Sequence, residues 1–250
     1  MSLYIRSMKK SLFISLCLMA GLLASCMKGE FAPSPEPYTY PDSFQAGKTY
    51  TAIATGMYHQ TGPNYSDGFP YLKISDNLNI VDAGNTLKPA AGRIFCQFRL
   101  LDERPSSPFF RAEIDWYESI ALGQYGPLAG ATGFATIDDA DDDGLNVIED
   151  WMTNLEDGYL TIHYSAWWGK SEQIHYLVLT PDDKDKPLEL TLRHDARDDE
   201  RLEEADALVC FDINSLSNYI DEENKTVTIK WKNSAGGSVK KRFLFKGRDN

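Results

Sequence analysis

The chain has 250 residues, with 25 basic side chains against 37 acidic ones and a formal charge of −12. A surface this acidic repels a phosphate backbone, which excludes nucleic acid as a partner, and the length suits one large β domain or two small ones. The sequence holds no G-x-S-x-G elbow, no H-E-x-x-H pair and no glycine-rich phosphate loop, so it does not read as an enzyme.

Residues 1–25 read as a lipoprotein signal peptide. Arg6, Lys9 and Lys10 precede an apolar run from Leu12 to Leu23, and Leu23-Ala24-Ser25-Cys26 closes it as a lipobox. The run is short for a transmembrane helix, and an ordinary signal cleavage site would end in an A-x-A-like pattern instead. Cys26 is the expected lipidation site and the expected anchor to the membrane. Met27 does not resemble an inner-membrane retention signal, which points to the outer membrane, with the periplasmic face and the cell surface both open. Loss of Arg6, Lys9 and Lys10 takes the charge from −12 to −15.

Residues 26–46 hold Pro33, Pro35, Pro37 and Pro41, a composition that predicts an extended stalk. Residues 47–137 then show short apolar runs at Thr49 to Thr55, Phe69 to Ile74, Ile94 to Leu101 and Phe109 to Trp116. Clusters such as Ser66-Asp67-Gly68 and Asp82-Ala83-Gly84-Asn85 separate them, as the loops of a small antiparallel barrel require. Phe69, Tyr71, Phe95 and Phe98 give this half aromatics that an OB-like face could use, although strand alternation buries about half of such residues.

Residues 138–250 carry seven further strand candidates: Leu145 to Trp151, Tyr159 to Ala166, Ile174 to Thr180, Leu188 to His194, Ala207 to Ile213, Thr226 to Trp231 and Lys240 to Phe245. That number and spacing predict a β-sandwich. Ser215 to Ile220 is the one tempting turn of helix. The acidity is concentrated here, with fourteen basic and twenty-six acidic residues against seven and eight in residues 47–137; cations or a basic peptide are the partners this suits, and a solvated acidic surface is the plainer explanation. Cys96 and Cys210 fall in strand-like runs, as buried thiols or as a bridge between the two halves.

Four features together resemble the NigD-like lipoproteins of the Bacteroidota: the lipobox with Cys26; the run from Arg93 to Glu103; Asp157-Gly158-Tyr159-Leu160 leading to His175-Tyr176; and Leu190-Thr191-Leu192-Arg193-His194-Asp195-Ala196 followed by Asp198. The resemblance implies an all-β fold, an N-terminal OB-like barrel followed by a C-terminal antiparallel β-sandwich. It brings an association with bacteriocin gene clusters and no general biochemical activity.

Three constellations are candidates for function. Asp139, Asp141, Asp143, Gly144 and Asp150 follow the spacing of a calcium loop, although Asn146 takes an apolar position and Asp150 replaces the closing Glu; an acidic linker accounts for the same residues, and no other cofactor is expected. A hairpin centred on Gly169 would place His163 opposite His175, with His194 close to the same row through a turn near Lys184, three imidazoles that zinc could use. The same hairpin would expose Trp167 and Trp168 at its tip with Tyr164 and Tyr176 beside them, a surface for a glycan ring or a protein partner unless the loop folds back on the sandwich. Trp116, Trp151 and Trp231 read as core. His194-Asp195 is not a catalytic pair, because strand neighbours point to opposite faces. The expected role is binding at the envelope, to a protein partner, a glycan or a cationic peptide.

Overall fold

The computed structural model describes residues 45–63, 67–76, 78–88, 92–102, 109–126, 143–169, 174–181 and 183–248. The expected signal peptide, Cys26, residues 27–44 of the expected stalk, Asp139 and Asp141 lie outside the described residues. The chain divides into two compact units at Ile120/Ala121.

The first unit is a closed barrel in the strand order β1-β2-β3-β5-β4. Its strands are β1 (Thr49–Gln60), β2 (Gly68–Ser75), β3 (Leu78–Asp82), β4 (Gly92–Leu100) and β5 (Phe109–Ser119). β1 closes the barrel by pairing antiparallel with β4, and β3 runs parallel to β5; this is the order of an OB fold. Alternation supplies the core: Ile94, Cys96, Phe98 and Leu100 on β4 face inward with Ala52, Leu72, Ile80 and Ala112. Cys96 is a free, buried thiol, pushed up to about 12 by burial. Phe98 is therefore core, whereas His59, Phe69 and Tyr71 cluster on Phe109, each with its ring centroid 5.0–5.2 Å from that ring.

β3 is the strand the sequence does not announce, being only five residues long. Asp82 ends it. Its carboxylate accepts from the main-chain N–H groups of Gly84, Thr86 and Leu87 and from the Thr86 hydroxyl. Burial acts against the ionised form, but these donors outweigh it and hold the carboxyl below its ordinary value. Asp82→Ala leaves several donors without an acceptor in a part-buried turn, an expected loss of about 3 kcal/mol; an unchanged urea midpoint would show the turn holds without it.

The second unit packs two sheets. One has the order β6-β13-β10-β8, with β9 also paired to β10, and the other β15-β14-β12-β11-β7. Their strands are β6 (Ala121–Leu122), β7 (Gln124–Tyr125), β8 (Asn146–Val147), β9 (Asn154–Glu156), β10 (Tyr159–Trp168), β11 (Tyr176–Pro181), β12 (Glu189–Asp195), β13 (Glu203–Asp212), β14 (Thr226–Lys232) and β15 (Ser238–Leu244). β6 and β7 pair with β13 and β11, so the sandwich takes in residues that the sequence placed with the barrel, and the boundary falls at 120/121 rather than 137/138. Asp157 and Gly158 both take positive φ, 51° and 69°, in the two-residue turn from β9 to β10, a position glycine adopts without steric cost. Ser215 to Ile220 is a 3-10 turn, Asn214–Tyr219.

The sandwich core lies between the sheets. Leu160, Ile162, Tyr164 and Ala166 of β10 and Ala207, Val209 and Phe211 of β13 meet Leu177 and Leu179 of β11, Leu190 and Leu192 of β12, and Trp231 of β14. Of the three tryptophans read as core, Trp231 is buried, while Trp116 and Trp151 are half-buried. Cys210 is buried as well. Among the described residues no helix is long and apolar enough to cross a membrane.

Candidate functional site

The expected hairpin centred on Gly169 does not form. β10 pairs with β13, placing His163 opposite Leu208, and β11 belongs to the other sheet. His163 faces outward, away from the core row, and its Nδ1 lies 2.8 Å from Asp150. The three-imidazole reading is thereby corrected, because a turn signal near Gly169 marks a change of direction but not the strand that receives the chain.

His175 and His194 do meet. The core-facing row runs His175, Leu177, Leu179 toward and along β11, and Leu190, Leu192, His194 along β12, so each leucine row ends in a histidine. Leu177 lies opposite His194, which sets the rings on a diagonal of one face. His175 Nδ1 is 3.0 Å from His194 Nε2. Trp168, the last residue of β10, stacks flat on His175 with centroids 4.0 Å apart, and its indole N–H donates to the Ala205 carbonyl.

Asp199 extends the line. Its Oδ2 lies 3.2 Å from His175 Nε2 and accepts the Gly169 N–H at 2.7 Å. This approach needs glycine, since a Cβ at 169 would sit 2.1 Å from the Glu200 carbonyl oxygen. The turn leading to Asp199 is strained: Arg197 and Asp198 have φ of 54° and 55°, with the Asp199 N–H donating to the Ala196 carbonyl, a primed turn that non-glycine residues rarely adopt. Asp195 restrains it by accepting the Arg197 N–H and pairing with that guanidinium at 3.0 Å. The Arg197 guanidinium also lies 4.5 Å over the Tyr176 ring.

A cavity of about 260 Å³ opens beside His194, lined also by Asp143, Trp167, Asp198, Asp199 and Arg201. Asp143 accepts the Ala196 N–H at 2.9 Å and pairs with Arg201 at 3.4 Å. Trp167 stands 40% exposed. Burial, then the neighbouring His175, push the His194 imidazole down to about 4 against the opposing pull of Asp143; burial also lowers His175 below its ordinary value, against Asp199. Both rings are thus neutral near pH 7.

The Asp199 carboxylate can only accept, so His175 carries a proton on Nε2 toward it. Besides His175, the buried His194 ring has the Asp143 main chain as a hydrogen-bond partner, which raises its pKa against burial. Ser234 lines the same cavity, but its hydroxyl donates to Asn146 Oδ1 at 3.0 Å, so it is not poised as a nucleophile on the imidazole.

The sequence-predicted residues therefore separate. Trp167 is at the cavity and Asp143 lines it. Trp168 is not an exposed ring, because β10 continues through it and its face is taken by His175. Tyr164 is corrected outright: it is 2% exposed in the sandwich core, on the inward face of β10, and offers no ring face at the surface. Tyr176 is covered by Arg197. Asp150 is engaged with His163 and with the Met152 N–H, different partners from those of Asp143. Among the described residues no group of three or more His, Cys, Asp or Glu side chains is arranged to hold a metal ion. Asp199 and Arg201 were missed; the signal that could have found the site is a histidine continuing the leucine register on two strands.

Comparison with known proteins agrees with this fold. The chain superposes on a protein of unknown function from Bacteroides vulgatus with a TM-score of 0.58 at 19% identity, over 79% of this chain and 91% of that one. A candidate lipoprotein from Bacteroides fragilis gives 0.56 at 10% identity, over 81% and 100%. A NigD-like immunity protein from Bacteroides caccae gives 0.53 at 17% identity, over 81% and 99%. No curated protein matches the chain. Residues 130–245 match the family described as NigD-like C-terminal beta sandwich domain, so the second unit carries a NigD-like sandwich, and it follows an OB-like barrel.

Proposed function

We propose that this is a non-catalytic binding protein of the bacterial envelope, lipid-anchored through Cys26 at the outer membrane, that recognises a basic polypeptide. The observation that carries this reading is the cavity at the end of the sandwich, where Asp143, Asp198 and Asp199 outnumber Arg201 beside the half-exposed Trp167. A chain of net charge −12 adds long-range attraction for such a partner. The structural likeness to a NigD-like immunity protein supports a role in handling a cationic bacteriocin.

A glycan is the second reading, resting on Trp167, which is exposed enough to stack on a sugar. It is weaker because Trp168 is spent on His175, leaving one ring where two were expected.

Retention of the protein on immobilised polyarginine is the test. Binding is expected at low salt and should collapse as ionic strength passes the physiological range, where exposed charges are screened beyond about 8 Å. Retention indifferent to salt, or no retention at all, overturns the reading. Retention on an immobilised polysaccharide that Trp167→Ala abolishes would favour the glycan instead.

A further inference from the structure

We infer that the outward face of β14 and β15 is a docking surface for an anionic lipid bilayer, with its lysines and its arginine against the phosphate headgroups. The inference goes beyond polypeptide recognition, and it rests on the proposed anchor at Cys26 only for the nearness of a membrane.

The end of the chain inverts the charge of the rest. Residues 225–248 hold eight basic side chains and no acidic one, in a protein whose formal charge is −12. The core takes Val227, Ile229 and Trp231 from β14 and Phe243 from β15, so alternation turns Lys230, Lys232, Lys240 and Arg242 to the opposite face. Three of the other basic residues are engaged elsewhere: Lys241 pairs with Glu149 at 2.9 Å, Lys246 with Glu156 at 3.6 Å and Arg248 with Asp212 at 2.7 Å. Lys240 and Arg242 are exposed and, among the described residues, join no ion pair.

Folding does not ask for this arrangement. Lys230 and Lys240 are direct cross-strand partners, and like charges opposite one another on a sheet are destabilising. Charge on an end strand does protect an open edge from strand pairing, and β15 ends its sheet, but Lys230 and Lys232 belong to β14, which has a strand on either side. The acid beside them is Glu189, 2.8 Å from Lys230. Lys230 first, then Lys186 and Lys240, hold its carboxyl below the ordinary value, and one carboxylate among these cations leaves the face basic.

The form of the face selects the partner. It is the broad side of two paired strands, with charges about 5 Å apart across the strands and about 7 Å apart along them. Lysine outnumbers arginine, and a compact point charge suits a diffuse plane of phosphates better than one shaped anion, which the arginine fork would grip. Leu244 continues the row beyond Arg242 and is 58% exposed, an apolar side chain placed to enter the headgroup layer beside the cations. Repulsion from acidic residues elsewhere on the chain is screened beyond about 8 Å at physiological ionic strength.

In the test, the protein purified from membranes is transferred from detergent to vesicles of phosphatidylcholine alone or of phosphatidylglycerol and phosphatidylcholine in equal parts. Its lysines are then acetylated with a water-soluble ester and read one by one by mass spectrometry. Lys230, Lys232 and Lys240 are expected to lose most of their reactivity on the anionic vesicles, to keep it on the neutral ones and to regain it in high salt. Lys240→Gln combined with Arg242→Gln changes two exposed positions and leaves the fold intact; it should weaken the preference for anionic vesicles by roughly thirty-fold. Equal reactivity on the two lipids, or a preference that the double variant retains, overturns the inference. Protection that appears in detergent and grows with protein concentration assigns the face to a second copy, and protection by dextran sulfate without protection by anionic vesicles assigns it to a soluble polyanion; either result overturns the membrane assignment. The peptide holding Cys26 is weighed in the same digest. An unacylated Cys26 with protected lysines removes the anchor and leaves the face, whereas an acylated Cys26 with reactive lysines does the reverse.

Discussion

Replacing Phe211 by alanine is expected to lower stability by about 3–5 kcal/mol, the largest loss foreseen for a single side chain here. The ring is fully buried between the two sheets of the sandwich. Gly123 lies against it so closely that a Cβ at that position would stand 2.4 Å from a ring carbon, which shows that the chain entering the sandwich is fitted to this side chain. Removing the ring takes away its transfer energy and leaves a cavity that packed strands on either side cannot fill. Leu244→Ala is the control, since Leu244 is 58% exposed at the end of β15 and should move stability by no more than about 0.5 kcal/mol. Urea unfolding checks both. Similar midpoints for the two variants would mean that Phe211 is not the centre of the core.

Acidification is expected to remove roughly 3 kcal/mol of stability between pH 6.5 and pH 4 through His194 alone. Its imidazole is held near 4 in the folded protein, by burial first and by His175 second, while Asp143 pulls the other way and Arg201 adds a smaller lowering push. In the unfolded chain the ordinary value of 6.5 returns. Between those values the unfolded state binds a proton that the folded state does not, so stability rises with pH across the window. The contribution is complete above 6.5 and is lost as pH falls toward 4. His175 is shifted in the same direction and steepens the fall. Asp82 acts elsewhere: its lowered carboxyl adds stability that is present above 3.8 and lost only below it. Melting temperatures at pH 7, 5.5 and 4.5 separate the two windows. His194→Gln should flatten the upper one, and a wild-type melting temperature constant from pH 7 to 4.5 would contradict the neutral histidine pair.

Much of the architecture was legible because strand alternation is a local property. Ile94, Cys96, Phe98 and Leu100 declare an inward face of β4 without reference to any other strand. The same holds for Leu190 and Leu192 on β12. The count of such runs predicted the barrel and the sandwich, and most strand centres fall where the apolar runs do. Short elements were lost: β3 has five residues, and β8 keeps only Asn146 and Val147 of the longer run expected from Leu145 to Trp151. A strand this short has too few alternating positions to stand out from its turns.

The sequence by itself determined the alternation of the longer strands and where charge is concentrated, because each depends on residues a few positions apart. Only the tertiary structure decided that β10 pairs with β13 and not with β11, since alternation names a face but not the strand beside it. With that choice Trp168 turned from an exposed ring into the stacking partner of His175, and Tyr164 went into the core. His163 was separated from the other two histidines. Asp199 joined His175 because a strained turn brought a loop against the end of β10, a contact across 24 residues of chain that no local pattern encodes.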